Sequence, residues 1–401
     1  MSGMMHPTEQ IHYIAKKIKE IPALNPPFEH SDNLIEDFTS RVDSFYILMK
    51  DLSKDENLTI MAEVPNRLRS IEALKLGITE SLKHHLSGNI NQSYKRFDHA
   101  LSNTKIIDYL SETAVPLNKI CNSLKKFYRV RTSNTPLNRR EDLFHIPFNL
   151  RHRVNTQRYS ISGLPCLYLG SSILVCWHEM GKPDFDKLYI SAFSGTESSS
   201  DLKIIDLAFN LTSTLSFTML DKFENSDDDL MEKAKSKIVN LILWPLVLAC
   251  NYKKRHNASF NIEYVIPNLL MEWVSSSKAK NISGIAYRTT KFINNKNQEI
   301  GINLILPPKN DEMMDENLSF CPTLSKSFKL TNPISWQVFR TLNSDFGENS
   351  YTLRAESSPN TGLIDNFDDF LVDNYKLTEF NHVESLIGNL MRFDHVNNGI
   401  S

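Results

Sequence analysis

Arg158-Tyr159-Ser160-Ile161-Ser162-Gly163-Leu164-Pro165-Cys166-Leu167-Tyr168-Leu169-Gly170-Ser171-Ser172-Ile173-Leu174-Val175-Cys176-Trp177-His178-Glu179 is the stretch that decides how this chain folds. Cys166 to Leu169 is a short apolar run with Gly163-Leu164-Pro165 in front and Gly170-Ser171-Ser172 behind, which predicts a strand followed at once by a helix cap. Ser171 or Ser172 is that cap. Ile173, Trp177 and Met180 then share one helix face, so Glu179 emerges beside the end of the strand that carries Tyr168. A carboxylate, a tyrosine and an arginine are placed to share one cleft.

Upstream, Lys125 to Arg158 holds nine basic residues against two acids, Glu141 and Asp142. Such a run reads either as a local anion site or as a solvated basic loop. It contains Phe127-Tyr128-Arg129-Val130-Arg131 and Phe144-His145-Ile146-Pro147-Phe148, the second a loop pinned to the core by its aromatic rings. Further back, residues 1–120 contain only three glycines and show helical spacing. Leu34, Phe38, Val42, Phe45 and Leu48 form one stripe, Leu68, Ile71, Leu74, Ile78 and Leu82 another, and Phe97, Ala100, Leu101 and Ile107 continue the pattern. Leu86-Ser87-Gly88-Asn89 is a stop followed by a new start.

Downstream, Leu188 to Phe193 and Leu202 to Leu207 read as strands, and Asp227-Asp228-Asp229 as the charged first turn of a helix running toward Trp244. Phe260 to Trp273 reads as an apolar helix feeding a strand at Ile282 to Tyr287, within Gly284-Ile285-Ala286-Tyr287-Arg288-Thr289-Thr290. Ile300 to Leu306 is the next strand, ended by Pro307-Pro308, and Asn303 within it reads as a strand residue. Residues 346–361 are polar and read as a loop; Phe370 to Met391 regains helical spacing. The pattern is that of an α+β protein with a helical N-terminal domain (1–120), a mixed α/β domain (121–330) and a C-terminal extension (331–401).

Hydrophobic content of 41% and charged content of 23% describe an ordinary globular chain, and a net charge of −2 supplies no global field for nucleic acid or an anionic membrane. The five cysteines form no Cys-x-x-Cys pair and read as buried thiols in a reducing compartment. The N-terminus lacks the basic-then-apolar pattern of an export signal, and the longest apolar run, Ile238 to Cys250, is too short to span a bilayer. The cytoplasm is the expected location. No phosphate loop or dinucleotide fingerprint occurs, and His178-Glu179 is followed by Met180-Gly181-Lys182 rather than the second histidine of a zinc helix. No metal or bound cofactor is expected.

Taken in order, the Arg129 segment, the Arg158–Tyr168 strand, Glu179 and the Gly284–Thr290 strand resemble the RES-domain family, over roughly Leu124 to Leu330. The resemblance implies an ADP-ribosyltransferase-type core, with NAD as substrate, in a bacterial toxin or anti-phage defence effector. It implies that Glu179, Arg129 and Thr289 form the catalytic set, Thr289 standing where the family has serine. Arg158 and Tyr168 match family positions that bind substrate. Tyr128, Arg131, Tyr287 and Arg288, which flank the matched residues, are further substrate-binding candidates, with Arg131 and Arg288 as substitutes for the two named arginines.

Cleaving the nicotinamide bond passes through a ribosyl oxocarbenium ion. A carboxylate near the ribose stabilises that charge, and arginines grip the pyrophosphate bidentately. Hydrolysis or phosphorolysis of NAD is the reading preferred here. Transfer of ADP-ribose to a protein, and a non-catalytic interaction protein that keeps the fold, are its rivals. An antitoxin or other regulatory protein, and self-association, are compatible with each.

Overall fold

The computed structural model describes residues 5–155, 157–208, 215, 226–256, 258–276, 282–291, 298–342 and 371–396. The expected loop at 346–361 lies outside them, as does Phe370.

The chain begins with helices α1 (Pro7–Lys19), α2 (Leu34–Leu52), α3 (Val64–Leu86), α4 (Ile90–Leu101), α5 (Thr104–Thr113) and α6 (Leu117–Ile120). Asn33 caps α2 by accepting from the amides of Ile35 and Glu36, and Asn89 caps α4 after Gly88 turns the chain at φ 78°. The five expected residues of the α3 stripe are all buried. In α2 the stripe runs Leu34, Phe38, Val42, Phe45, Met49 and Leu52, with Leu48 half-buried, because the turn after Phe45 closes on the i+4 position. In α5 the buried isoleucine is Ile106, with Ile107 half-buried beside it.

The other α-helices with both ends described are α7 (Ile173–Glu179), α8 (Asp227–Ile242), α9 (Trp244–Cys250), α10 (Val265–Ser275), α11 (Pro322–Ser327), α12 (Trp336–Leu342) and α13 (Glu379–Leu390). Ser226 and Asp229 form a capping box at the acidic start of α8. The helix expected from Phe260 begins five residues later, and Phe260 itself is exposed.

The strands are β1 (Val115–Pro116), β2 (Phe127–Thr132), β3 (Leu167–Gly170), β4 (Leu188–Gly195), β5 (Lys203–Asp206), β6 (Ile282–Arg288), β7 (Ile302–Leu306), β8 (Phe328–Leu330) and β9 (Ile334–Ser335). They form one mixed sheet in the order β1-β5-β6-β7-β3-β2-β4-β8, with β9 on β4; β5 and β6 pair in parallel and the other neighbours antiparallel. The molecule is therefore α+β.

Among the described residues, three buried clusters fill it. The first joins α1–α5 to α8–α10 and to Ile205, Ile285, Tyr287 and Ile305 of the sheet. The second lies among Phe127, Leu167, Leu304 and Leu306, with Phe144, Phe148 and Phe320 closing it as the aromatic loop predicts. The third packs Ile173, Leu174, Val175 and Trp177 of α7 against Phe380, Val383 and Ile387 of α13. At about 1.5–3 kcal/mol for each large side chain removed from water, α13 is firmly docked on α7.

Candidate active site

The end of β3 and the start of α7 approach so closely that a Cβ on Gly170 would stand 2.5 Å from Val175 Cγ1 and 2.6 Å from Cys176 Sγ. Only glycine fits there. Ser172 caps α7 by accepting from the Val175 amide at 3.0 Å, while its own hydroxyl donates to the Ile300 carbonyl at 2.6 Å. Ser171 is tied to β7 through the Ile302 amide and carbonyl. Two turns later the helix ends at Glu179, and Gly181 at φ 81° reverses the chain. Met180, one residue past the helix, is 39% exposed rather than continuing the buried Ile173–Trp177 face.

Glu179 opens onto a cleft of about 680 Å³. Its Oε1 accepts from Asn303 Nδ2 of β7 at 3.0 Å. Asn303 stands opposite Tyr287 of β6 and opposite Gly170 of β3, so sheet register places Asn303 and Tyr287 side by side below Glu179. Four arginines (129, 131, 153 and 158) and three lysines (253, 254 and 291) line the same cleft, and Glu179 is the single carboxylate among its described lining residues.

The arginines differ in what they hold. Arg158 is buried: it donates to the carbonyls of Cys250 and Tyr252, both at 2.6 Å, and more weakly to Thr290 Oγ1 at 3.4 Å, with its guanidinium over the Tyr264 ring at 4.9 Å. The segment it grips is backed by the N-terminal helices, because Tyr252 donates to Asp37 of α2 at 2.7 Å. Arg131 donates to the Phe144 carbonyl at 2.8 Å, and burial lowers its pKa to about 10. In Arg129 the Nη1 atom is buried and has no hydrogen-bond partner among the described residues. Burial and then the neighbouring Arg131 disfavour its charged form. An arginine so placed is a strong anion receptor once an anion arrives.

Tyr168 and Tyr287 also line the cleft. Tyr168 donates to the Tyr159 carbonyl at 3.3 Å, and Tyr287 packs against the Tyr159 ring at 4.7 Å. Burial raises both phenols well above their ordinary pKa, so they act as neutral donors. Cys166 and Cys176 reach the wall as well, but burial pushes both thiols up to about 12. A thiol at that pKa is a poor nucleophile at neutral pH.

Six of the residues singled out from sequence thus share the cleft: Glu179, Arg129, Arg131, Arg158, Tyr168 and Tyr287. Three stand elsewhere. Tyr128 is buried under α7, whose Cys176 thiol donates to its carbonyl. Arg288 donates to the Ala208 carbonyl at 3.2 Å beside Asp206. Thr289 is 2% exposed, and its hydroxyl accepts from the Lys291 amide at 3.2 Å, so the hydroxyl at the cleft wall is that of Thr290. Of the nine basic residues in Lys125–Arg158, Arg129, Arg131, Arg153 and Arg158 line the cleft; Arg139 is exposed and pairs with Asp142.

Sequence reasoning left Asn303 as a strand residue, and passed over Tyr264, Thr290, Lys253, Lys254 and Lys291. A signal for Asn303 existed. An amide within Ile302-Asn303-Leu304-Ile305-Leu306 is buried by its neighbours and needs a partner.

Among known proteins, the chain is 31% identical over 299 residues to a Bacillus subtilis (strain 168) protein named "Putative toxin YopC". The match covers 71% of this chain and 64% of that protein, so the chain spans less than two thirds of the relative's length. No family model matches the chain, and no solved structure does. No helix among the described residues is long and apolar enough to cross a membrane.

Proposed function

We propose that this chain is a toxin that consumes NAD by breaking the bond between nicotinamide and ribose. The observation that carries the reading is the Glu179 carboxylate, fixed by Asn303 in a cleft whose other charges, among the described lining residues, are all cationic. A single carboxylate among cations suits a substrate that is anionic along most of its length and turns cationic at one carbon.

The pyrophosphate would lie against Arg129, whose unpartnered Nη1 gains most from an anion, and against Arg131. The wall formed by Ile146, Pro147, Leu150 and Val154 offers an apolar face for the adenine ring. Tyr287 and Asn303 then border the nicotinamide ribose, with Glu179 accepting from a ribose hydroxyl. The glycosidic C–N bond breaks, its electron pair leaves with nicotinamide, and Glu179 stabilises the positive charge at the anomeric carbon. Water adds to that carbon and loses a proton, giving ADP-ribose. The volume is in the range of sites that enclose small ligands.

The similarity to a protein named as a toxin supports the toxic role. The residue order shared with the RES-domain family supports the NAD chemistry. Purified protein incubated with NAD should release nicotinamide, followed by chromatography, and Glu179→Gln should slow release on the order of 100-fold or more while leaving the circular dichroism spectrum unchanged. Equal release by Glu179→Gln would reject Glu179 as the reacting carboxylate. Mass spectrometry of added protein for ADP-ribose separates transfer from hydrolysis.

A further inference from the structure

Helix α7 has seven residues, too short to hold its own position, so what fixes its ends fixes Glu179. At its last turn Lys291 Nζ donates to the His178 carbonyl at 2.9 Å. At its first turn the amide of Val175 goes to the local cap, Ser172, while the amide of Ile173 donates to Glu384 Oε1 at 2.6 Å. Glu384 comes from α13, more than two hundred residues further along the chain.

The carboxylate is itself held, because the Tyr375 hydroxyl donates to the same oxygen. The two helices also share a packed face: the Trp177 ring lies 5.8 Å from Phe380 and stacks at 5.0 Å on Phe185. A serine or asparagine would cap a helix without burying a charge, so a carboxylate here is a costly choice for capping alone. An anion at the start of a helix interacts with its dipole, and this one reaches the start of the helix that ends at the candidate reacting group.

We propose that Glu384 is a positioning residue for Glu179: by holding the first amide of α7, the C-terminal helix sets where the last side chain of α7 stands in the cleft. The C-terminal region is then part of the working site rather than an appendage to it. Among the described residues, the titratable groups that face Glu384 are Tyr375, Tyr128 of β2 and Cys176 of α7. Burial pushes its carboxyl up to about 7, whereas those three stay protonated through neutral pH. The kinetic consequence rests on the reading of Glu179 given above; the mechanical one does not.

The test uses the full chain with Glu384→Ala, which removes the acceptor, and Glu384→Gln, which keeps an acceptor oxygen but cannot ionise. Hydrogen–deuterium exchange should quicken at least tenfold in residues 173–179 of Glu384→Ala, with α2 and α3 unchanged, and stay near wild type in Glu384→Gln. With NAD, Glu384→Ala should lose kcat at least tenfold with KM within about twofold. Glu384→Gln should recover most of kcat and lack any inflection near pH 7 that the wild type shows. Unchanged α7 exchange in Glu384→Ala, or unchanged kcat in that variant when the wild type does cleave NAD, overturns the proposal. If the wild type releases no nicotinamide, the reading of Glu179 fails and the exchange experiment alone decides the tether. If Glu384→Ala does not fold, Glu384→Met, which fills similar space without an acceptor for the Ile173 amide, takes its place under the same two criteria.

Discussion

Asn303 donates to Glu179 across 3.0 Å, from the middle of the sheet to the last residue of α7. The donor is 6% exposed, and the carboxylate that it holds faces solvent in the cleft. A buried amide that spends its hydrogen on an exposed carboxylate fixes one rotamer of that carboxylate and leaves its second oxygen for a ligand.

Replacing the amide should therefore change chemistry more than folding. Asn303→Ala is expected to lower kcat roughly tenfold, because Glu179 is present but no longer aimed. Asn303→Asp should do worse, since it sets a like charge within hydrogen-bond distance of Glu179. Nicotinamide release at saturating NAD, beside a thermal melt of each variant, checks this. Wild-type kcat in Asn303→Asp would mean that Glu179 is not held in the working state.

How much of this was legible in the sequence follows from the range of the interactions involved. The β3–α7 turn was readable because Gly170 and Ser172 act within six residues of their own positions. The α3 stripe was readable because burial repeats with the helix turn. Which side chain meets the cleft was not readable at Arg288 and Thr289: Arg288 is the last residue of β6, and Thr289 just beyond it donates its amide to the Gly301 carbonyl where the strand ends. Contacts such as Arg158 with the Cys250 carbonyl, or Glu384 with the Ile173 amide, join residues with no local pattern in common. Only the folded chain brings them together.

Arg129 and Arg158 should respond oppositely to substitution. Arg158→Ala leaves the buried carbonyls of Cys250 and Tyr252 unpaired and should cost about 2–5 kcal/mol, read by denaturant unfolding. Arg129→Met removes a buried guanidinium whose Nη1 has no partner among the described residues, and should raise stability by about 1 kcal/mol or more while raising KM for NAD. Arg139→Ala, at an exposed pair, is the control and should change neither. Loss of stability in Arg129→Met would show that this arginine is satisfied within the protein.

The two threonines after β6 separate a wall residue from a turn residue. Thr289→Val leaves the Lys291 amide without its acceptor and should cost about 1 kcal/mol, with a secondary effect on turnover through the Lys291 contact to α7. Thr290→Val removes a hydroxyl at the cleft wall and should raise KM several-fold with stability near wild type. Thr289→Ser keeps the acceptor and should behave as wild type. If Thr289→Val abolishes turnover at full stability while Thr290→Val is silent, the hydroxyl that meets substrate is that of Thr289.

The part of stability that Glu384 contributes should fall as pH rises toward neutrality. Burial raises its folded-state carboxyl from 4.5 to about 7, so between those values the native state binds a proton that the unfolded chain has released. A group with a raised folded pKa contributes its stability fully below the unfolded value and loses it as pH climbs through the folded one. The contribution of Glu384 to the unfolding free energy should therefore decline between about pH 4.5 and 7, with a slope of at most about 1.4 kcal/mol per pH unit from this one proton, against the opposite slope of His145 and His178, which burial holds down to about 3. Glu384→Gln removes the titration and keeps an acceptor for the Ile173 amide. Urea unfolding at half-unit steps should show the variant gaining stability relative to wild type as pH rises through that window. Parallel curves would mean that Glu384 is ionised throughout and that its carboxylate is better solvated than its burial between α13 and α7 implies.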